Sequence, residues 1–256
     1  MPDAHVGIVK PGRDEPSTVP SERMIERGER WTRLAERIAK AFGLVLLLVI
    51  ATFVLASLTK YAGWSAVAIS VLAALSAAVG LASSGLRTGL VASAAGLAAG
   101  CVTFAAVAAL SGNDRFLAIG ALVQIVLLAW AAGAVLRAVI GESEVGFRTI
   151  LGAISVYLTS GLLFTALYVA IDRLQGGPFF GPASELDTGD FVFFSFTTLT
   201  TTGYGNLIPG GQPGKMFAVS EMLLGQIFLV TLIARLVSLW RPGRRAESRG
   251  RPHTGP

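Results

Sequence analysis

The sequence predicts an all-α membrane protein: six helices cross the bilayer, and a further short apolar segment enters it and turns back. Three observations lead there. The 256 residues are 53% hydrophobic and only 14% charged, whereas a soluble domain is about 45–50% apolar and about 25% charged. Charge is also pushed to the ends. Of 21 Lys and Arg and 16 Asp and Glu, 15 lie in the first 40 positions and 6 in the last 16, leaving 16 for the stretch Ala41 to Trp240. Finally, one uncharged run of spanning length is so broken by glycine and proline that it cannot be a spanning helix.

Residues 1–40 read as a cytoplasmic tail. Met1 to Pro20 has four prolines and no apolar periodicity, so it is expected to lack fixed structure. From Ser21 the pattern changes. Glu26/Arg30, Glu29/Arg33 and Glu36/Lys40 are i,i+4 pairs with the acid first, and Met24, Ile25, Trp31, Leu34 and Ile38 share a stripe. An amphipathic helix on the membrane surface is expected from about residue 21 to Lys40. A secretory signal is not, because the apolar run comes too late and no cleavage pattern follows it.

Five uncharged runs of spanning length follow: Ala41 to Thr59, Tyr61 to Leu86, Thr88 to Asn113, Phe116 to Leu136 and Thr149 to Ile171. The sixth, Met216 to Trp240, carries Glu221 and Arg235 and ends before Pro242 and Gly243. An even number of crossings leaves both termini on one side. With both in the cytoplasm, 16 Lys and Arg face inward and only Lys60, Arg115, Arg173 and Lys215 face outward, as the positive-inside rule requires. The net charge of +5 is thereby read as orientation, and no nucleic acid is expected as a partner. In the third run, Ala92, Gly96 and Gly100 place small residues four apart. They make either a close-packing face or a chance pattern in a stretch rich in Ala and Gly.

The function classes left open are few. Cys101 is the only cysteine, and His5 and His253 sit in the polar tails, so neither a thiolate or imidazole metal site nor a catalytic set is expected in the spans. An enzyme is not expected, and neither is a cofactor. No repeat of span pairs suggests an inverted-repeat transporter.

Phe191 to Gly214 is the run that fails. Phe191 to Thr202 suits a short helix capped by Thr188 or Asp187, but Gly203, Gly205, Pro209, Gly210, Gly211, Pro213 and Gly214 follow. About 12 helical residues reach some 18 Å, roughly half the bilayer. The chain must therefore go in and come back, and non-helical backbone at that depth is tolerated only where it is buried in protein or lines water. Thr200-Thr201-Thr202-Gly203-Tyr204-Gly205 supplies a run of carbonyls, with glycines able to take positive φ so that successive oxygens turn to one axis. Four copies would stack rings of neutral oxygens suited to a dehydrated monovalent cation.

This stretch, Ser195 to Pro209, closely resembles the pore helix and filter of the potassium-channel family, with Thr201-Thr202-Gly203-Tyr204-Gly205 matching the filter pentapeptide. The resemblance covers Thr149 to Trp240 and says little about the first four spans. It implies a pore domain over 149–240; the uncharged runs put a four-helix region over 41–140 before it, and the charge distribution a cytoplasmic tail over 241–256 after it. It implies K+ as permeant ion, bound by the carbonyls of Thr201, Thr202, Gly203 and Tyr204 and the Thr201 hydroxyl, with Gly205 closing the filter. Phe193 and Phe194 fall where the family braces its filter. Gly225, 20 positions after Gly205, falls at its inner-helix hinge, which leaves two duties open, hinge or packing spacer. Asn206 stands where aspartate is commoner, and Thr197 where some prokaryotic members have glutamate, so inactivation and external block do not carry over.

Three groups of charges remain. Glu221, one turn before Gly225, either backs the filter or is a carboxyl near the outer interface or kept protonated by burial. Arg235 is close enough to Arg241 to snorkel inward. Glu185, Asp187 and Asp190 either concentrate cations outside the pore or form a solvated turn and cap.

The whole is read as a homotetramer in membrane lipid, in a plasma membrane that the Ala- and Arg-rich composition suggests is a bacterial inner membrane. A regulatory partner could supply the opening stimulus. The competing readings are a cation-transporter subunit, disfavoured because one chain carries one pore loop, and a weakly selective cation channel, disfavoured by the intact Tyr204. Phe116 to Leu136 carries no Arg or Lys, so little voltage dependence is expected.

Overall fold

The computed structural model describes residues 42–59, 64–83, 88–141, 146–176, 178–181 and 186–239. The expected surface helix before Lys40 and both tails lie outside these residues. Seven helices form among them: α1 (Phe42–Leu58), α2 (Trp64–Ser83), α3 (Thr88–Ser111), α4 (Asp114–Gly141), α5 (Phe147–Leu174), α6 (Thr188–Leu199) and α7 (Gln212–Leu239). No strand is present among them beyond one isolated bridge.

Five helices are long and apolar enough to cross a membrane: α2, α3, α4, α5 and α7. The chain is thus a membrane-embedded, multi-pass protein. The first expected span, Ala41 to Thr59, is helical over the described residues Phe42–Leu58. At about 1.5 Å per residue α1 is about 25 Å long, just under a hydrocarbon core of roughly 30 Å.

Around the run that fails as a span, three boundaries differ from the sequence reading, each for a local reason. The short helix begins at Thr188, three residues before Phe191, because Asp187 serves as its N-cap. The Asp187 amide donates to Asp190 Oδ2 at 2.9 Å, as in one half of a capping box. That helix then ends at Leu199 instead of Thr202. Finally, α7 starts at Gln212, so Pro213 and Gly214 belong to its first turn, where proline's missing amide goes unneeded.

The first four helices are not a separate shell. Ala77, Leu81, Ala94, Leu127 and Ala131 join α2, α3 and α4. Val45, Val49, Ala73, Leu128 and Leu162 carry the core through α1 and α2 into α5. Phe42, Val135, Val139, Ala153 and Val156 then extend it to Phe228 and Leu232 of α7. Close approach in α3 and α4 occurs at Gly120, where a Cβ would meet Phe104 Cβ at 3.4 Å. It does not occur at Gly96, which has open space around it, so the Ala92, Gly96, Gly100 row is not a tight packing face among the described residues.

Around α6 the packing is aromatic. Phe164, Tyr168, Phe179, Phe180, Phe191 and Phe194 form one buried cluster. On the other side the ring of Phe53 in α1 meets Phe196 edge-on at 4.8 Å. Phe196 also lies over Gly161 of α5, where a Cβ would stand 2.6 Å from the ring. The stretches leading into α6 and out of the loop after it are hydrogen-bonded to each other: Gly210 N–H donates to Phe179 O at 2.8 Å and Gly181 N–H to Ile208 O at 3.3 Å. The chain therefore returns to the level at which it left.

Replacing Gly161 by leucine should push Phe196 off α5 and cost about 1–3 kcal/mol of overpacking. Thermal unfolding of the purified protein in detergent checks this; an unchanged midpoint would mean that Phe196 does not rest on α5.

Candidate functional site

The loop after α6 is built on that helix's own C-terminus. Thr201 N–H donates to Thr198 O at 2.9 Å, and Thr202 and Gly203 N–H both donate to Thr197 O, at 2.8 and 3.2 Å. The amides at the start of the loop thus satisfy carbonyls that a helix end leaves over. The loop carbonyls are left differently. Among the described residues, those of Thr201, Thr202, Gly203 and Tyr204 accept no hydrogen bond.

Backbone conformation explains where those oxygens go. Gly203 has φ +55° and Gly205 φ +80°, as expected, but Thr201 also sits in the left-handed region at φ +58°. Left-handed residues at 201, 203 and 205 alternate with Thr202 and Tyr204, whose φ values are negative. Such alternation turns successive peptide groups the same way; where it aligns N–H groups it makes anion-binding concavities, and here the groups left without partners among the described residues are carbonyls. Threonine pays for the αL position with steric strain, which persists only where the surroundings hold it. Here the Thr201 amide on Thr198 and the Thr201 hydroxyl on Thr200 O, at 2.7 Å, provide local anchors.

The two aromatics do different things. Phe193 stacks on Tyr204, with ring centroids 5.6 Å apart and an interplanar angle of 17°, and so touches the loop directly. Phe194 is buried among Tyr168, Phe179 and Phe180 and holds α6 to its support.

Glu221 is fully buried, at 0% exposure. Its Oε1 lies 2.6 Å from Ser195 Oγ on α6 and its Oε2 accepts from Tyr168 Oη on α5 at 2.6 Å. Ser195 Oγ also lies 2.8 Å from Gly161 O. One carboxyl of α7 thereby ties three helices together behind the loop. One turn on, Gly225 lies against the last carbonyl of α6: a Cβ there would stand only 2.1 Å from Leu199 O. Tyr157 Oη of α5 reaches the same oxygen at 3.2 Å. Gly225 is inside an unbroken helix, so its missing side chain is what admits the end of α6.

Sequence reasoning named Glu221 and Gly225 but missed their counterparts Ser195, Tyr168 and Tyr157. A signal was present. Tyr157, Gly161 and Tyr168 fall at i, i+4 and i+11 of α5 and so share one helical face. Arg235 was read as reaching the inner interface; its Nη2 donates to Ile140 O at the end of α4, 3.0 Å away. Of the outer acids, Asp187 and Asp190 form the start of α6, and Glu185 lies outside the described residues.

Gly225→Ala should therefore displace the end of α6 and with it the loop, because a methyl cannot coexist with Leu199 O at that distance. The expected outcome is a change in ion preference or in assembly. A variant that lost only open probability, with preference and unitary conductance intact, would show that the contact yields easily and that bending dominates.

Residues 152–241 match the family model described as ion channel. The voltage-gated delayed rectifier potassium channel KCNH5 of Homo sapiens is 30% identical over 61 residues, 24% of this chain and 6% of that protein. The two-pore potassium channel 1 of Arabidopsis thaliana is 27% identical over 88 residues, 34% of this chain and 22% of that protein. KCNH1 of Rattus norvegicus is 28% identical over 61 residues, 24% of this chain and 6% of that protein. The chain thus spans less than a quarter of the length of these relatives, and no solved structure matches it. Residues 152–241, which hold α6, its carbonyl loop and α7, are the part of the chain that is similar to pore-loop potassium channels.

Proposed function

We propose that the chain is one subunit of a tetrameric channel that passes K+ selectively and passively through a ring of four identical carbonyl loops. The observation that carries this reading is the row of four hydrogen-bond-free carbonyls, Thr201 to Tyr204, on a backbone of alternating φ sign. One chain offers one such row; enclosing an ion needs a closed ring of copies around an axis. Neutral oxygens replace the hydration shell of K+ without holding the ion as tightly as carboxylates would. The Thr201 hydroxyl adds a ring at the inner end, and Gly205 ends the row.

In this reading α6 and its loop are re-entrant. A 12-residue helix of about 18 Å reaches only partway across the bilayer, and the bonds between Phe179–Gly181 and Ile208–Gly210 bring the chain back to its starting level. With α1 counted as a span, six crossings put both termini in the cytoplasm, and the inner end of α7 lies near Arg235. Phe193 and Glu221 support the filter, the first by stacking on Tyr204, the second through Ser195. Gly225 lets α6 approach and, as the glycine in the middle of α7, is also the place for a hinge.

Reconstitution into liposomes with mixed K+ and Na+ gradients tests the reading. Reversal potentials should follow the K+ gradient, and Tyr204→Asp should abolish that preference by replacing an ordered loop position with a carboxylate. Wild-type currents without preference for K+ would turn the reading into a weakly selective cation channel. Uptake of K+ tied to a second ion or to ATP would turn it into a transporter subunit.

A further inference from the structure

We propose that the apolar stripe Met216, Val219, Leu223, Ile227, Val230 of α7 seats in the cleft between α1 and α6 of an adjacent copy, making α1 a wall of the subunit interface. This rests on the tetramer reading above and adds which surfaces meet.

α7 has three sides accounted for within its own chain. Ala218, Glu221 and Gly225 face α6; Phe228 and Leu232 pack with α4 and α5; Met222 lies beside the filter loop. The remaining side is the stripe, spaced by three and four residues, and its members are 48–64% exposed. A helix surface of this kind, about 21 Å long at ~1.5 Å per residue, is apolar and leaves about half or more of each side chain open, although Val219 also borders the loop after α6 and Leu223 and Ile227 the groove toward α4 and α5.

The concave counterpart lies on α6. Phe193, Thr197 and Thr200 form one helical face that this chain leaves open, and with Thr202, Tyr204 and the α1 residues Phe53 and Ser57 they line a cleft of about 670 Å³. Its α1 wall is firmly placed: Phe53 packs on Phe196, and Ser57 O comes so near Gly189 that a Cβ there would be 2.7 Å away. A closed ring needs two different faces on each copy, one to give and one to receive. The stripe and the cleft are such a pair.

Their heights agree. Ser195 meets Glu221 and Leu199 meets Gly225, both pairs 26 positions apart, so α6 and α7 run parallel in a fixed register. Rotation about a ring axis leaves height unchanged. Val219 of one copy therefore comes level with Phe193 of the next, and Leu223 with Thr197. Met216 comes level with Asp190 and so close to the level of Ser57, which lies at Gly189. Lys215, exposed and without an ion pair among the described residues, arrives at the Asp187 and Asp190 end of the cleft, where its charge is complementary.

The test uses two differently tagged full-length chains, both carrying Cys101→Ala, one with Ser57→Cys and the other with Met216→Cys, coexpressed and oxidised in membranes. A disulfide-linked dimer bearing both tags is expected, and Phe228→Cys in place of Met216→Cys should give none. If native mass spectrometry shows intact tetramers of these chains but no 57–216 cross-link forms, with a bis-maleimide as well, the docking surface is wrong and the tetramer reading stands. If the unsubstituted protein is not tetrameric, the reading itself fails, and the proposal with it.

Discussion

The filter loop depends on one buried contact, the carboxyl of Glu221 between Ser195 and Tyr168. α6 is only 12 residues long, has no covalent tie to its neighbours nearby, and carries at its end a backbone held in strained conformations. A short helix is marginal by itself and needs tertiary packing to hold it. Aromatic packing sets its distance from α5, but apolar contacts are non-directional and do not fix rotation or register. The paired 2.6 Å contacts to Glu221 do, since each requires one side chain at one height. Burying a carboxyl is costly unless its oxygens are met, and both are met here. A group placed there at such cost is a registry device, and what it registers is the pore helix.

One turn further, the same two helices meet through glycine. Glu221 and Gly225 share a face of α7, and Ser195 and Leu199 share a face of α6, so the hydrogen-bonded contact and the bare-backbone contact act as two pins of one bracket. Tyr168 and Tyr157 close it from α5, one at each pin. In the proposed channel this bracket would link conduction to gating. Any bend of α7 near Gly225 must also move against Leu199 O, the last helical carbonyl before the filter. The inner end of α7 is held separately by Arg235 on α4, which ties the peripheral helices to the part of α7 that would move.

Much of this was legible in the sequence. Uncharged runs located the spans because the bilayer imposes a length, and the glycine and proline content excluded Phe191 to Gly214 from them because backbone in lipid must be satisfied internally. The glycines of the loop after α6 were legible because its backbone needs positive φ at Gly203 and Gly205. What was not legible were relations across helices. Nothing in the local sequence distinguishes Ser195 from any hydroxyl on a helix, and its role appears only once α7 is placed beside it. Positive φ was expected of the glycines; Thr201 adopts it as well, a conformation that its own side chain disfavours, because the end of α6 and the Thr200 carbonyl hold it there. The starts of α6 and α7 show the limit of counting uncharged residues: helix ends are set by capping and by tolerated proline.

The bracket is the central claim, and exchange of Glu221 tests it most directly. Glu221→Gln retains a planar group able to pair with Ser195 and Tyr168, whereas Glu221→Ala leaves both without a partner in the core, at about 1–3 kcal/mol per buried group. Reversal potentials of the two variants in mixed K+ and Na+ should separate them: K+ preference retained with glutamine, and lowered or lost with alanine although the protein still inserts and assembles. An alanine variant with wild-type preference and unitary conductance would contradict the account, because the filter would then hold its shape without the carboxyl.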